Sequence, residues 1–128
     1  MITVTSKQEK YAMNVSNGST GIISDIPASH GGSGKYLAPF DLLCSSFAAC
    51  LTATTRLLLE KRGVAYDEVI AKVSVDQMTT PGKTVFSYDV QIKGNLSDED
   101  KAKYAKMAFN GCPVHKALSS EILFEEMK

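Results

Sequence analysis

The stretch that most constrains the fold is FDLLCSSFAACLTATTRLLLEK, with Pro39 just before it and Arg62-Gly63 just after. Pro39 suits a first helical turn and Asp41 the positive end of a helix dipole. Lys61-Arg62-Gly63 is a basic last turn followed by a glycine cap. The spacing predicts one helix over 39–62, about 24 residues or ~36 Å at 1.5 Å per residue. As far as Thr55 its only charge is Asp41. A helix this apolar on most of its faces has to be buried. A chain of 128 residues makes only a modest core, so a second copy is expected to cover part of the helix, giving a homodimer. No uninterrupted apolar run approaches the ~18 residues of a membrane span, and Met1 leads straight into polar, alternating sequence. The expectations are therefore no membrane and a cytoplasmic location.

The length suits a single domain, 1–128. Hydrophobic residues at 44% and charged residues at 22% are ordinary globular usage, which excludes a disordered or fibrous chain. Fourteen Lys plus Arg balance fourteen Asp plus Glu. No segment gathers basic residues around aromatics, so no nucleic-acid partner is expected.

Before the helix, Ile2 and Val4 alternate with Thr3 and Thr5, and Tyr11, Met13 and Val15 with Ala12 and Asn14, so short strands are expected. Asn17-Gly18 is placed to turn the second strand into Thr20–Asp25. Residues 26–38, rich in Gly, Ser and Pro, read as a loop. After the helix, Val69, Ala71, Val73 and Val75 alternate with polar residues. Phe86, Tyr88, Val90 and Ile92 do the same beyond the turn Thr80-Pro81-Gly82-Lys83, so an antiparallel hairpin with one apolar face is predicted. Ser97 followed by Asp98, Glu99 and Asp100 starts a second helix that stops at Asn110-Gly111. Cys112-Pro113 opens a short third helix to about Leu118, and Ile122–Glu126 is expected as a last strand. The order is that of an α+β domain with segregated antiparallel sheets around a long buried helix.

The three cysteines, Cys44, Cys50 and Cys112, are an odd number, which argues for thiols over a disulfide framework. Cys112 falls at an N-cap position with Pro113 at the first helical position, where orphan N–H groups favour a thiolate. His115 lies about one turn on and is placed to influence that charge. Cys50 is mid-helix, out of reach of its own helix dipole, and shares a stripe with Leu43, Phe47, Thr54 and Leu57. An apolar site raises a thiol's pKa, so Cys50 needs a cationic or hydrogen-bonding neighbour from elsewhere in the fold. Cys44 lies about 240° further round and reads as packing.

Of three sharper motifs the first is rejected, and the other two, a zinc-thiolate site and an acyl-transfer pair, stay open but incomplete. Ser29-His30-Gly31-Gly32-Ser33-Gly34-Lys35 lacks the first glycine of a phosphate loop, and Tyr36 stands where Ser or Thr should follow the lysine. Cys112-x-x-His115 is half a zinc site that only Cys50 or His30 could complete. As a nucleophile and base, Cys112 and His115 lack an identifiable third orienting group.

The segments DIPASHGGSGKYLAPFDLLCSSFAACLTATTRLLLEKRG (25–63) and NGCPVHKAL (110–118) resemble the OsmC/Ohr family of osmotically induced and organic-hydroperoxide proteins. The resemblance implies the OsmC-like fold and an intertwined homodimer with both cysteines of one chain in each site. It also implies the roles: Cys50 as the peroxidatic thiolate, Cys112 as the resolving thiol, and a Cys50–Cys112 disulfide between turnovers. A hydroperoxide would be the small-molecule substrate and a dithiol the reductant, with no metal, haem or flavin cofactor required. Such an activity would make the chain an antioxidant, stress-response oxidoreductase. In the organic-hydroperoxide branch a glutamate precedes the reactive cysteine where this chain has Phe40, and an N-terminal arginine assists. Here no arginine precedes Arg56. Asp41 is adjacent, and Lys35, His30 or Arg56 are the candidate cations. The rival function is a redox-sensing or small-ligand-binding dimer that oxidises without useful turnover.

Overall fold

The computed structural model describes all residues, 1–128, and is α+β. The chain forms two compact units, residues 1–43 and 44–128. The first contains strands β1 (Thr3–Ser6), β2 (Met13–Ser16) and β3 (Gly21–Ser24), paired antiparallel in that order. The expected turn at Asn17-Gly18 forms because Asn17 Oδ1 accepts the Ser19 and Thr20 N–H groups, both at 3.0 Å, while Gly18 takes φ 98°. Tyr11 does not extend β2 as predicted. It sits at φ 64°, the only residue other than glycine in the left-handed region, and the alternation Tyr11-Met13-Val15 carries no sign of that bend.

The loop after β3 is more fixed than its Gly/Ser composition suggested. Asp25, fully buried, accepts the Ile26 N–H at 2.7 Å and the Ser33 N–H at 2.9 Å. The Ser33 amide, with lesser help from the Ser33 hydroxyl and Ile26, outweighs burial and holds this carboxyl below the usual carboxylate range. Ser24 Oγ donates to the Leu37 carbonyl at 2.7 Å, so the loop leaves and returns at one place.

Helix α1 runs Pro39–Lys61, within a residue of the expected 39–62. Asp41 accepts the Ala38 N–H at 2.8 Å, the reciprocal half of a capping box. At the other end Gly63, at φ 67°, completes a Schellman motif: Gly63 N–H donates to Glu60 O at 3.1 Å and Val64 N–H to Leu59 O at 2.9 Å. The buried stripe is Phe47, Leu51, Thr55 and Leu59, an i, i+4 series. Of the predicted stripe, Phe47 is buried and Leu57 is not, being 67% exposed. The series rotates the buried face one residue past Cys50, which therefore sits half-buried on its shoulder. Within one chain the remaining faces of α1 are half-buried or exposed. Averaged over an 18-residue window α1 has mean hydropathy 1.5, so by length and composition it alone is long and apolar enough to cross a membrane. No uninterrupted apolar run is needed for that average, because the intervening Ala, Ser and Thr cost little.

The predicted hairpin is β4 (Glu68–Asp76) and β5 (Val85–Lys93), with Val69 facing Ile92, Ala71 facing Val90, Val73 facing Tyr88 and Val75 facing Phe86. Pro81 and Gly82 (φ 70°) supply the turn, with Lys83 N–H donating to Thr80 O at 3.2 Å. Helix α2 (Asp98–Gly111) starts where Ser97 Oγ accepts the Asp100 N–H at 3.1 Å. Helix α3 (Pro113–Ser119) follows directly. Val64, Tyr66, Val69, Leu96 and Met107 pack around the buried Leu59, Ile92 and Tyr104. The expected closing strand Ile122–Glu126 is not formed: residues 121–128 have no regular structure and are exposed. Ile122, Leu123 and Phe124 are an apolar run, but a strand also needs a neighbour to pair with its N–H and C=O groups.

Candidate functional site

The second core of the 44–128 unit joins Phe47 and Leu51 of α1 to Cys112, all buried, with Cys50, Val73, Phe86, Val90, Phe109 and Val114 packed on them. Cys112 has no exposed surface. As predicted it caps α3, its sulfur accepting the His115 N–H at 3.5 Å, with Pro113 next to it. The Cys112 N–H donates to the Phe109 carbonyl at 3.3 Å and its own carbonyl accepts the Lys116 N–H at 3.1 Å. The sulfur therefore stands at the corner between α2 and α3 with its backbone fixed on both sides.

Cys50 packs against the core cluster that contains Cys112, and each thiol shifts the other's acidity. Burial pushes the Cys50 thiol up, but the Cys112 thiol, the Val114 N–H and the Thr54 hydroxyl all donate to the Cys50 sulfur and together hold it below an ordinary thiol. Thr54 Oγ1 lies 3.9 Å from Cys50 Sγ. Burial also pushes the Cys112 thiol up. Donation to Cys50 and the adjacent Cys50 charge add to this, and the amides of His115 and Val114 do not offset it. Helix position alone would favour Cys112 as the more acidic thiol, and burial and the neighbouring sulfur oppose that here. Its donors serve the neighbour as well: the first turn of α3 reaches across to Cys50, which its own helix dipole cannot assist.

An aromatic wall stands beside the pair. Phe109 stacks on Tyr88 with centroids 4.4 Å apart and on His115 at 3.8 Å, while Phe47 meets Phe86 edge-on at 6.0 Å. His115 does not use its ring on the Cys112 sulfur, as its spacing suggested. Its Nδ1 is 3.0 Å from the Phe109 carbonyl.

The candidate cations are engaged elsewhere or lie in the other unit. Arg56 Nε donates to Tyr66 Oη at 3.0 Å, and Tyr66 in turn donates to Glu60 at 2.8 Å. Its six-residue offset from Cys50 turns it about 240° away. Lys35 and His30 belong to residues 1–43, where His30 Nδ1 meets the Ser29 hydroxyl at 3.1 Å. Asp41 serves the α1 cap. Cys44 is half-buried on α1. No three His, Cys, Asp or Glu side chains converge as metal ligands would.

Sequence reasoning placed Thr54 on the Cys50 stripe without recognising it as a donor. The signal was the i, i+4 spacing of a hydroxyl and a thiol on one helix. The Val114 amide left no signal, since a backbone N–H from another helix has no residue type.

The model of the OsmC-like protein family matches residues 32–126. An organic hydroperoxide resistance protein-like protein of Staphylococcus aureus strain MSSA476 is 31% identical over 102 residues, covering 77% of this chain and 73% of that one. Among solved structures, an OsmC like protein from Mycoplasma pneumoniae superposes with TM-score 0.76 at 21% identity, over 92% of this chain and 85% of the other. An organic hydroperoxide resistance protein from Elizabethkingia anophelis does so with TM-score 0.68 at 23% identity, over 93% and 88%. The chain belongs to the OsmC-like family.

Proposed function

We propose that this protein reduces hydroperoxides, organic ones by preference, with Cys50 as the attacking thiolate and Cys112 as the resolving thiol. The observation that carries the reading is the gathering of Cys50 and Cys112 in one core cluster, with the Thr54 hydroxyl 3.9 Å from the Cys50 sulfur, at a place where the pKa of the Cys50 thiol is held below its ordinary value. The name borne by the Staphylococcus relatives supports the substrate class. The thiolate attacks the distal peroxide oxygen, the O–O bond breaks, and the alcohol leaves with a proton, so Cys50 becomes a sulfenic acid. The Cys112 sulfur then attacks the Cys50 sulfur, water departs and a disulfide forms. A dithiol reductant restores both thiols by exchange and is itself oxidised. The aromatic wall of Phe47, Phe86, Tyr88 and Phe109 offers an apolar surface to an alkyl or aryl peroxide.

The functional unit is the single domain 1–128, working in the cytoplasm as a homodimer. Support for a second copy is the large apolar surface one chain leaves open, including Phe40 at 50% and Leu57 at 67% exposed. One observation favours the rival, a sensing or ligand-binding dimer: Phe40 and an engaged Arg56 offer Cys50 no charged partner. Multiple-turnover consumption of cumene hydroperoxide with dihydrolipoamide, beside mass spectrometry of the oxidised protein, separates the two. Sustained turnover with Cys50 linked to Cys112 supports the peroxidase. One oxidation per chain and no further turnover supports the rival.

A further inference from the structure

We infer that His115 is a positioning residue for the resolving step, its ring holding the α2–α3 corner so that the Cys112 sulfur meets Cys50 in the geometry a disulfide requires. The inference rests on the peroxidase reading for its consequence, and on four contacts for its geometry. A carbonyl oxygen only accepts, so the 3.0 Å contact between His115 Nδ1 and the Phe109 carbonyl places the proton on Nδ1. The same carbonyl accepts the Cys112 N–H at 3.3 Å. Phe109 O therefore gathers two donors, one from Cys112 and one from His115, and ties the end of α2 to the start of α3. The His115 main chain gives its N–H to the Cys112 sulfur at 3.5 Å. One residue thus touches Cys112 through the sulfur and, by way of Phe109, through the backbone. The ring is held flat by Phe109, with centroids 3.8 Å apart and planes 26° apart, and by Phe47 at 6.3 Å. A helix of seven residues has little rigidity of its own. Without the ring bond, the corner keeps the Cys112 and Lys116 backbone bonds and the His115 amide on the sulfur, but loses the side-chain tie between the end of α2 and the start of α3.

Disulfide closure tolerates little error, since the Cβ atoms must come within about 3.5–4.5 Å with a narrow dihedral. Slack at the corner lowers the fraction of time Cys112 is in line with the Cys50 sulfur, and it touches the attack on peroxide less, because Val114 and Thr54 still serve Cys50. The worth of one hydrogen bond corresponds to a rate of closure about 3–10-fold lower.

The test compares His115→Asn and His115→Phe. The asparagine amide nitrogen falls where Nδ1 stands and keeps the donor. Phenylalanine keeps the stack and loses the donor. Sulfenic acid on Cys50 is trapped at intervals after one equivalent of cumene hydroperoxide, and the Cys50–Cys112 disulfide is followed by mass spectrometry. Expected for H115F is a longer sulfenic lifetime and disulfide formation about 3–10-fold slower, with sulfenic acid formation slowed by clearly less than closure and H115N close to the parent protein. A merely structural role would lower the melting temperature and slow both steps by the same factor in H115F, and that result overturns the inference. Equal closure in H115F and the parent overturns it while leaving the peroxidase reading intact. If the parent never reacts with peroxide, the peroxidase reading fails. Diamide, which closes neighbouring thiols without peroxide, then reads the same contrast between variants. Should H115F not fold, His115→Gln, whose amide reaches toward the Nε2 place and misses Nδ1, takes its part.

Discussion

Replacing Cys112 by alanine removes the thiol that donates to Cys50, whereas serine keeps a donor of similar reach at that place. Cys50 is held below an ordinary thiol only because three donors together outweigh its burial, and Cys112 is the largest of the three. Hydrogen bonds to charged groups are worth about 1.5–3 kcal/mol, and a thiol is a weak donor, so the lower figure applies. At about 1.4 kcal/mol per factor of ten, the thiolate population of Cys50 in the alanine variant falls about tenfold at pH values where the thiol form dominates. A less acidic thiol is also intrinsically more nucleophilic, with a Brønsted slope of roughly 0.4–0.5, which returns about threefold. The net expectation is an about threefold slower reaction of Cys50 in C112A than in C112S on the acid side. On the alkaline side, where both are fully ionised, C112A becomes the faster of the two. Iodoacetamide alkylation measured across pH, with the modified peptide identified by mass spectrometry, follows Cys50 without interference from Cys44. Superimposed profiles, or C112A faster on the acid side, would refute the claim that the Cys112 thiol activates Cys50.

The reaction of the parent protein with peroxide should rise with pH through an inflection below that of an unperturbed cysteine thiol, because Cys50 reacts as thiolate and its pKa is lowered; a stopped-flow pH profile with its inflection at or above that of a free cysteine peptide would contradict it. Ser97→Ala should cost about 1 kcal/mol of stability by removing the acceptor for the Asp100 N–H, read as a lower urea midpoint with an unchanged slope. Asp25→Asn should open the 26–38 loop to limited proteolysis, since one carbonyl cannot replace two oxygens that each accept an amide. The Asp25 carboxyl has a lowered pKa in the fold, so its contribution is complete above about pH 3.9 and is lost as pH falls through the folded value. Unaltered cleavage in the variant would remove the carboxylate's assigned part in holding the loop. Sedimentation equilibrium should find a dimer at micromolar concentration, given the apolar surface left open on α1, and a stable monomer would disprove that assembly.

The features that sequence made legible are those with a local chemical cause. Helix α1 and its two caps follow from Pro39, Asp41 and Gly63, and the β4–β5 register follows from two runs of alternating apolar residues joined by Pro81-Gly82. Ser97 and Cys112 announce their helices because a short polar side chain before an acidic turn or a proline serves orphan amides. The strand expected at Ile122–Glu126 failed for the opposite reason: a strand is a relation between two segments, and its partner has no trace in its own residues. The acidity of the thiols is illegible for the same reason. Helix position alone favours Cys112, because a reading of one helix counts the amides at its own N-terminus and nothing else, and the choice of Cys50 rests on the family resemblance. The fold brings a second sulfur to those amides, and two thiols sharing one set of donors cannot both be acidic. The half-buried thiol gains the Val114 amide, the Thr54 hydroxyl and the Cys112 S–H. The fully buried one becomes a donor, and burial and the adjacent charge raise its pKa. The difference in acidity between Cys50 and Cys112 is therefore a property of the pair, and the proposed division of labour rests on it. Neither position in the chain carries it alone.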